Sequence, residues 1–227
     1  MTIADVVPIA LLGGVAGLDT VSFPQAMISR PLVAATLGGA LVGAPGAGLL
    51  IGVVLELIAL ETMPVGASRY PEWGSTSVVA GAIYGGAGPD VVGALIVAVL
   101  GALLFAWLGG WSMVTLRQHN AVVARRRRVA LEAGSRGAVV DVQLAGLTGD
   151  FVRAVLVSAV AYLVLVPSEH LMLQRWTLGE HWSRALLVAT AASVALGSAW
   201  KLFHSTAGAR WFFLGGLGVG LLVLGMR

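Results

Sequence analysis

The sequence contains no cysteine and little charge, and both absences narrow the possible functions. Without cysteine, disulfides, thiolate catalysis and cysteine-ligated metals are excluded. Charged residues make up 11% of the 227 residues, whereas about 25% is usual in soluble domains. Hydrophobic residues make up 58%, and the mean hydropathy is +0.91. A soluble enzyme is therefore not expected, and lipid is the expected solvent for most of the chain.

The basic residues are concentrated in one short stretch, in a chain whose net charge is +3. The stretch contains a single acid, Glu132, and the following arginines: Arg117, Arg125, Arg126, Arg127, Arg128 and Arg136. Such a basic segment between apolar segments is typical of a cytoplasmic loop. We therefore expect a cytoplasmic helix or loop over about 116–150. No nucleic-acid recognition fold fits around it, so no nucleic-acid partner is expected.

Long apolar blocks predict an all-α, polytopic transmembrane bundle that forms a single membrane-embedded domain over 1–227. The start of the chain has no basic residue before Arg30, so it lacks the basic region of a secretory signal and is expected to be a retained membrane segment. The blocks run roughly over 6–18, 31–44, 47–60, 76–87, 89–115, 151–167, 185–203 and 211–226.

Two of these blocks, 31–44 and 47–60, are too short to span a membrane. Each would be about 21 Å long as a helix, against a hydrocarbon core of about 30 Å. Gly43 and Pro45 interrupt the sequence between them. A re-entrant hairpin or discontinuous helix is predicted, and one bent helix over 31–60 is the alternative.

Acidic residues predominate before Arg117, where only Arg30 and Arg69 are basic. An acidic intramembrane cleft suits a neutral polyol such as a sugar, or a cation. Glu56 is the most informative of these acids, because an ionisable group inside the apolar run IGVVLELIAL costs roughly 2.5–3.5 kcal/mol. It therefore needs either a ligand or a structural partner, such as a neighbouring helix or Arg30.

Two polar loops offer further candidate substrate-binding residues. The first, 19–30, contains Asp19, Gln25 and Arg30, and forms either a pocket edge or a solvated turn. The second, 61–74, contains Glu61 and Glu72. Its Trp73 either stacks on a sugar ring or belongs to an interfacial aromatic belt.

Neither metals nor other cofactors are expected. The four histidines show no metal-ligand spacing and no nearby nucleophile set: His119, His170, His181 and His204. The glycine-rich stretches GAPGAG and GGLGVG lack the Lys-Ser/Thr ending of a phosphate-binding loop.

Three motifs between residues 30 and 72 carry a family resemblance. They are Arg30-Pro31-Leu32 before a glycine-rich apolar hairpin, the run with Gly52, Glu56 and Leu60, and the turn Pro64-Val65-Gly66-Ala67 before Pro71-Glu72. Together they resemble the core of the IIC membrane subunits of the mannose/fructose/sorbose phosphotransferase family, over about residues 10–120. Two positions depart from the family pattern. Family members often have Asp at the position of Glu72, and many have an uncharged residue at the position of Glu61.

The resemblance implies a multi-pass protein of the bacterial inner membrane that moves a hexose or related sugar by an elevator-like shift. Such subunits pair with a IID membrane subunit and form higher oligomers. They do not phosphorylate the sugar themselves, because the cytoplasmic IIA and IIB proteins carry the phosphoryl group. The alternatives from the residues are an ion-coupled secondary transporter and a membrane scaffold or sensor that moves nothing.

Overall fold

A computed structural model describes residues 3–60, 62, 69–88, 91–179 and 208–225, together with 181–182, 185–186, 188–189, 192–193, 196–197 and 200. All regular structure in these residues is helical, which confirms the predicted all-α class. The chain divides into two compact units, 1–178 and 179–227. The expected organisation as one membrane domain stays a prediction.

The first unit contains seven helices among its described residues: α1 (Ile3–Asp19), α2 (Pro31–Leu41), α3 (Pro45–Ala59), α4 (Trp73–Ala87), α5 (Val92–Arg126), α6 (Arg128–Glu132) and α7 (Arg136–Gln174). The second unit contains α8 (Ala209–Gly225). Within the first unit, α4 is the central element, because it packs against α1, α2, α3, α5 and α7. Every residue from Trp73 to Gly85 is buried.

The predicted broken hairpin is present as α2 and α3. Gly43 ends the first arm with a φ of 79°, a conformation that favours glycine, and Pro45 begins the second arm at a position where its missing N–H costs nothing. The two arms pack against each other, and α2 also packs on α4. At the break, the backbone N–H groups of Val42 and Ala44 donate to the Gly39 carbonyl and that of Gly43 to the Ala40 carbonyl, so the turn bonds its own backbone groups, as a break at membrane depth requires.

The helices α5 and α7 form a long antiparallel hairpin, in which Gly93 lies near Leu173 and Gly149 near Leu116. Residues 93–126 and 136–174 are long and apolar enough to cross a membrane. At about 1.5 Å per residue, α5 is about 52 Å long and exceeds the hydrocarbon core by about 20 Å. The basic stretch is thus largely helical, and it turns at Gly134, where φ is 70°.

The outer surfaces of these two helices are apolar. Leu100, Leu104 and Trp111 of α5 are 52–58% exposed, and α7 likewise exposes Leu156 and Leu163. Large apolar surfaces of this kind mark contact with lipid or with another membrane protein.

Candidate functional site

A cavity of about 230 Å³ lies where α1 ends, α2 begins, α3 ends and α4 begins. We call it the loop cavity, because the connection between α1 and α2 forms much of its wall. Its lining consists of Asp19, Thr20, Gln25, Met27, Ser29, Arg30, Pro31, Ala59, Thr62, Tyr70, Pro71 and Trp73. Three of the predicted substrate-binding residues, Asp19, Gln25 and Arg30, are therefore brought together here.

Asp19 fixes the connection between α1 and α2. Its side chain is buried at 2% exposure, and its carboxylate accepts hydrogen bonds from the backbone N–H groups of Ala26 at 2.6 Å and Ser29 at 2.9 Å. Gln25 and Met27 have φ values of 58° and 63°, in the left-handed region. Such backbone costs about 1–3 kcal/mol per non-glycine residue and persists only where surrounding contacts enforce it. Asp19 supplies those contacts.

Arg30 and Glu56 form an ion pair that joins the start of α2 to α3. Glu56 also accepts a hydrogen bond from the backbone N–H of Leu32 at 3.2 Å. The carboxylate therefore has the compensating partner that its apolar surroundings require. Arg30 lines the loop cavity and Glu56 lies behind it, outside the cavity lining.

Glu72 is fully buried and lies in a polar cluster at the start of α4. It caps the helix by accepting from the backbone N–H of Ser75 at 3.0 Å and from the Ser75 hydroxyl. Arg153 of α7 approaches the Glu72 carboxylate to 4.0 Å. The Arg153 Nε atom donates to Asp150 at 2.9 Å, and Asp150 in turn accepts from the Ser22 hydroxyl at 2.5 Å. This cluster ties α4 and α7 to the connection that forms the cavity wall.

Two aromatic side chains complete the cavity wall. The Trp73 Nε1 atom donates to the Thr62 hydroxyl at 2.8 Å, which fixes the indole. The Tyr70 hydroxyl accepts from Arg117 at 2.6 Å, so its own proton is left to donate. Burial raises the pKa of Tyr70 above its ordinary value of 10.0, which keeps the phenol protonated at neutral pH.

Part of this site is predicted by the sequence. Asp19, Gln25 and Arg30 line the cavity, Glu56 lies behind Arg30, Glu72 belongs to the buried cluster, and Glu61 lies outside the described residues. Sequence reasoning missed Tyr70, Asp150 and Arg153. The last two could have been found as an acid and a base three residues apart at the start of an apolar helix, since that spacing places them on one face.

A sequence model described as the PTS system sorbose-specific IIC component matches residues 3–219. The match covers nearly the whole chain. The protein belongs to this sorbose-type IIC family.

Curated relatives of this chain include the mannose-specific EIIC component of the phosphotransferase system of Escherichia coli strain K12 and that of Shigella flexneri. Each is 32% identical to this chain over 79 residues, which is 35% of this chain and 29% of the relative. The aligned segment therefore spans less than a third of the length of these relatives.

Two solved structures are similar to this IIC-family chain over its full length. One is the cryo-EM structure of the mannose transporter ManYZ with microcin E492, with a TM-score of 0.62, 25% identity and 92% of that chain covered. The other, described as the structure of a membrane protein, has a TM-score of 0.74, 24% identity and the same coverage, and it supports the fold.

The loop cavity of this family member combines groups that suit a polyhydroxylated ligand. A carboxylate and an amide accept hydrogen bonds from hydroxyl groups, while a guanidinium and a phenol donate them. The indole of Trp73 adds apolar surface for the C–H face of a ring. Among the described residues, no group of three His, Asp or Glu side chains could hold a metal ion.

Proposed function

We propose that this chain is the sugar-translocating IIC subunit of a mannose-type phosphotransferase system, and that the loop cavity binds a hexose or related sugar. The observation that carries the proposal is the meeting of Asp19, Gln25 and Arg30 with Tyr70 and Trp73 in one cavity of a IIC-family bundle. A single cavity thus offers hydrogen-bond acceptors, donors and an aromatic surface, which together suit a sugar.

The residues have different roles in this proposal. Gln25 and Arg30 contact the sugar hydroxyls, and Asp19 holds the loop while offering its carboxylate at the cavity wall. Glu56 orients Arg30, and Glu72 positions the start of α4. Glu61 is assigned to the substrate site from the sequence alone.

The proposed partners are a IID membrane subunit and the cytoplasmic IIA and IIB phosphocarriers, in a higher oligomer in the bacterial inner membrane. The similarity to a chain of the two-component mannose transporter ManYZ supports a membrane partner. The exposed apolar surfaces of α5 and α7 support one as well. Phosphoryl transfer to the sugar is assigned to the partners.

Uptake of labelled mannose into vesicles that contain the complete transport complex tests the function. Uptake should require phosphoenolpyruvate and the soluble phosphocarriers, should yield sugar phosphate, and should persist when ionophores collapse the proton and sodium gradients. Gln25→Ala should lower the apparent sugar affinity, and Gln143→Ala outside the cavity is the control. Uptake of unmodified sugar that ionophores abolish would establish an ion-coupled transporter instead.

A further inference from the structure

Another polar cavity, of about 220 Å³, lies at the opposite end of the first unit, between the start of α1 and the ends of α4 and α7. We call it the outer cavity. Its polar lining consists of Asp5, Tyr162, Glu169 and His170, and Ile83 and Val166 contribute apolar surface. Asp5 lines the outer cavity and Asp19 lines the loop cavity. Along α1 these two residues are about 21 Å apart at a rise of about 1.5 Å per residue.

The buried side chain of Glu169 is the evidence that the outer cavity binds a ligand. The residue is 5% exposed, and its Oε1 atom has no hydrogen-bond partner among the described residues. A buried carboxyl oxygen without a donor is strongly unfavourable, because burial removes the water that would otherwise bond to it. The cavity beside Glu169 is where the missing donor would be bound.

The lining indicates which kind of donor fits. Among the described residues, no Lys or Arg lines the cavity and no group of three potential metal ligands occurs. The cavity of about 220 Å³ is large enough for a ring-sized ligand, since a single water molecule requires only roughly 10–15 Å³. A sugar ring matches the remaining features, since its hydroxyls donate to carboxylates and accept from Tyr162 and His170, while its C–H face packs on Ile83 and Val166.

Close helix packing separates the outer cavity from the loop cavity. An added Cβ at Gly13 would collide with the side chain of Ser158, and one at Gly74 would collide with the backbone of Ala16. The contact surfaces of α1, α4 and α7 are therefore filled between the two ends. The outer cavity is a separate space and not an extension of the loop cavity.

We infer that the outer cavity is a second sugar-binding site, which receives the transported sugar at the membrane face opposite the loop cavity. The inference rests on the proposed function for the class of ligand. Its own support is the Glu169 Oε1 atom, which has no partner among the described residues and lies beside a cavity whose polar and apolar lining suits a sugar.

Equilibrium dialysis of the purified transport complex with radiolabelled mannose tests the inference through stoichiometry. The parent should bind two molecules per chain. Glu169→Gln and, independently, Tyr162→Phe should raise the dissociation constant of one of the two sites at least tenfold. Glu132→Gln makes the same chemical change as Glu169→Gln in an exposed residue of α6, and it should leave both sites intact. Tyr162→Phe removes only a hydroxyl and serves if Glu169→Gln does not yield a folded complex.

The outcomes separate this inference from the proposed function. One bound mannose that Gln25→Ala abolishes and the Glu169 and Tyr162 variants leave unchanged would overturn the outer site and keep the loop-cavity site. One bound mannose that only the Glu169 and Tyr162 variants weaken would keep the outer site and overturn the loop-cavity site. No bound mannose in the parent would overturn both.

Discussion

At the residue scale, the sequence predicts which charged side chains are buried, but it predicts only some of the residues that pair with them. Glu56 interrupts an apolar run, which predicts a buried charge with a partner, and Arg30 is one of the candidate partners. Asp150 and Arg153 were missed because their network depends on α4, α7 and the 20–30 connection meeting in space. Charge in an apolar segment predicts that a partner exists, whereas tertiary packing decides which one it is.

Glu56→Gln should weaken sugar binding by roughly three- to tenfold. Arg30 would lose the ionised partner that orients it, and charge-assisted hydrogen bonds are worth about 1 kcal/mol more than neutral ones. Dissociation constants measured in parent and Arg30→Gln backgrounds form a double-mutant cycle. If Glu56 acts through Arg30, its substitution should have no further effect in the Arg30→Gln background. An equal loss in both backgrounds would mean that Glu56 contacts the sugar itself.

Arg153→Met should destabilise the folded protein by about 3–5 kcal/mol, because it leaves the buried carboxylates of Asp150 and Glu72 without their cation. At about 2–4 °C per kcal/mol for a chain of this size, the midpoint of thermal unfolding should fall by roughly 6–20 °C. Arg126→Met changes the same residue type at an exposed position in the last turn of α5. It should shift the midpoint little, and equal shifts for the two variants would contradict a stabilising role for the buried cluster.

At the element scale, breaks were predictable and helix lengths were less so. Gly43 and Pro45 predicted the broken hairpin, because each has a backbone preference that ends or begins a helix. The apolar block 89–115 ends before α5 does, because α5 continues to Arg126 in the segment expected to be a cytoplasmic helix or loop. Hydropathy reports contact with lipid, whereas a helix can continue into water beyond the apolar block. Here α5 ends at Arg126, and Gly134 with its φ of 70° follows the short helix α6.

Gly81→Ala should disrupt the packing of α2 on α4. An added Cβ at Gly81 would collide with the backbone carbonyl of Ala35, which cannot move aside as a side chain can. Overpacking of this kind costs about 1–3 kcal/mol or more. The yield of monodisperse complex and the sugar affinity should both fall. Gly46→Ala is the matched control, because its Cβ would meet nothing within 4 Å and alanine favours a helix. A fully stable Gly81→Ala complex would contradict the close approach.

At the scale of the whole first unit, the two cavities lie at opposite ends of the same helices. α1 and α4 each extend from the loop cavity to the outer cavity, and glycine contacts fill the space between the ends. A sugar therefore has no open path along these helices in this conformation. Under the proposed function, passage of a sugar between the two ends would require that these helices shift relative to one another.

The orientation of this unit in the membrane is predicted by its arginines. The basic segment 116–138 should be cytoplasmic, because it contains six arginines against the single acid Glu132 and follows a full-length span. The chain has no cysteine, so single cysteines can be introduced without a background signal. Cysteines at Ala124 and Ala133 should react with impermeant reagents in inverted vesicles and stay unlabelled in intact spheroplasts. A cysteine at Gln174, at the other end of α7, should show the reverse pattern. Labelling of Ala133→Cys in intact spheroplasts would invert the orientation and place the outer cavity on the cytoplasmic side.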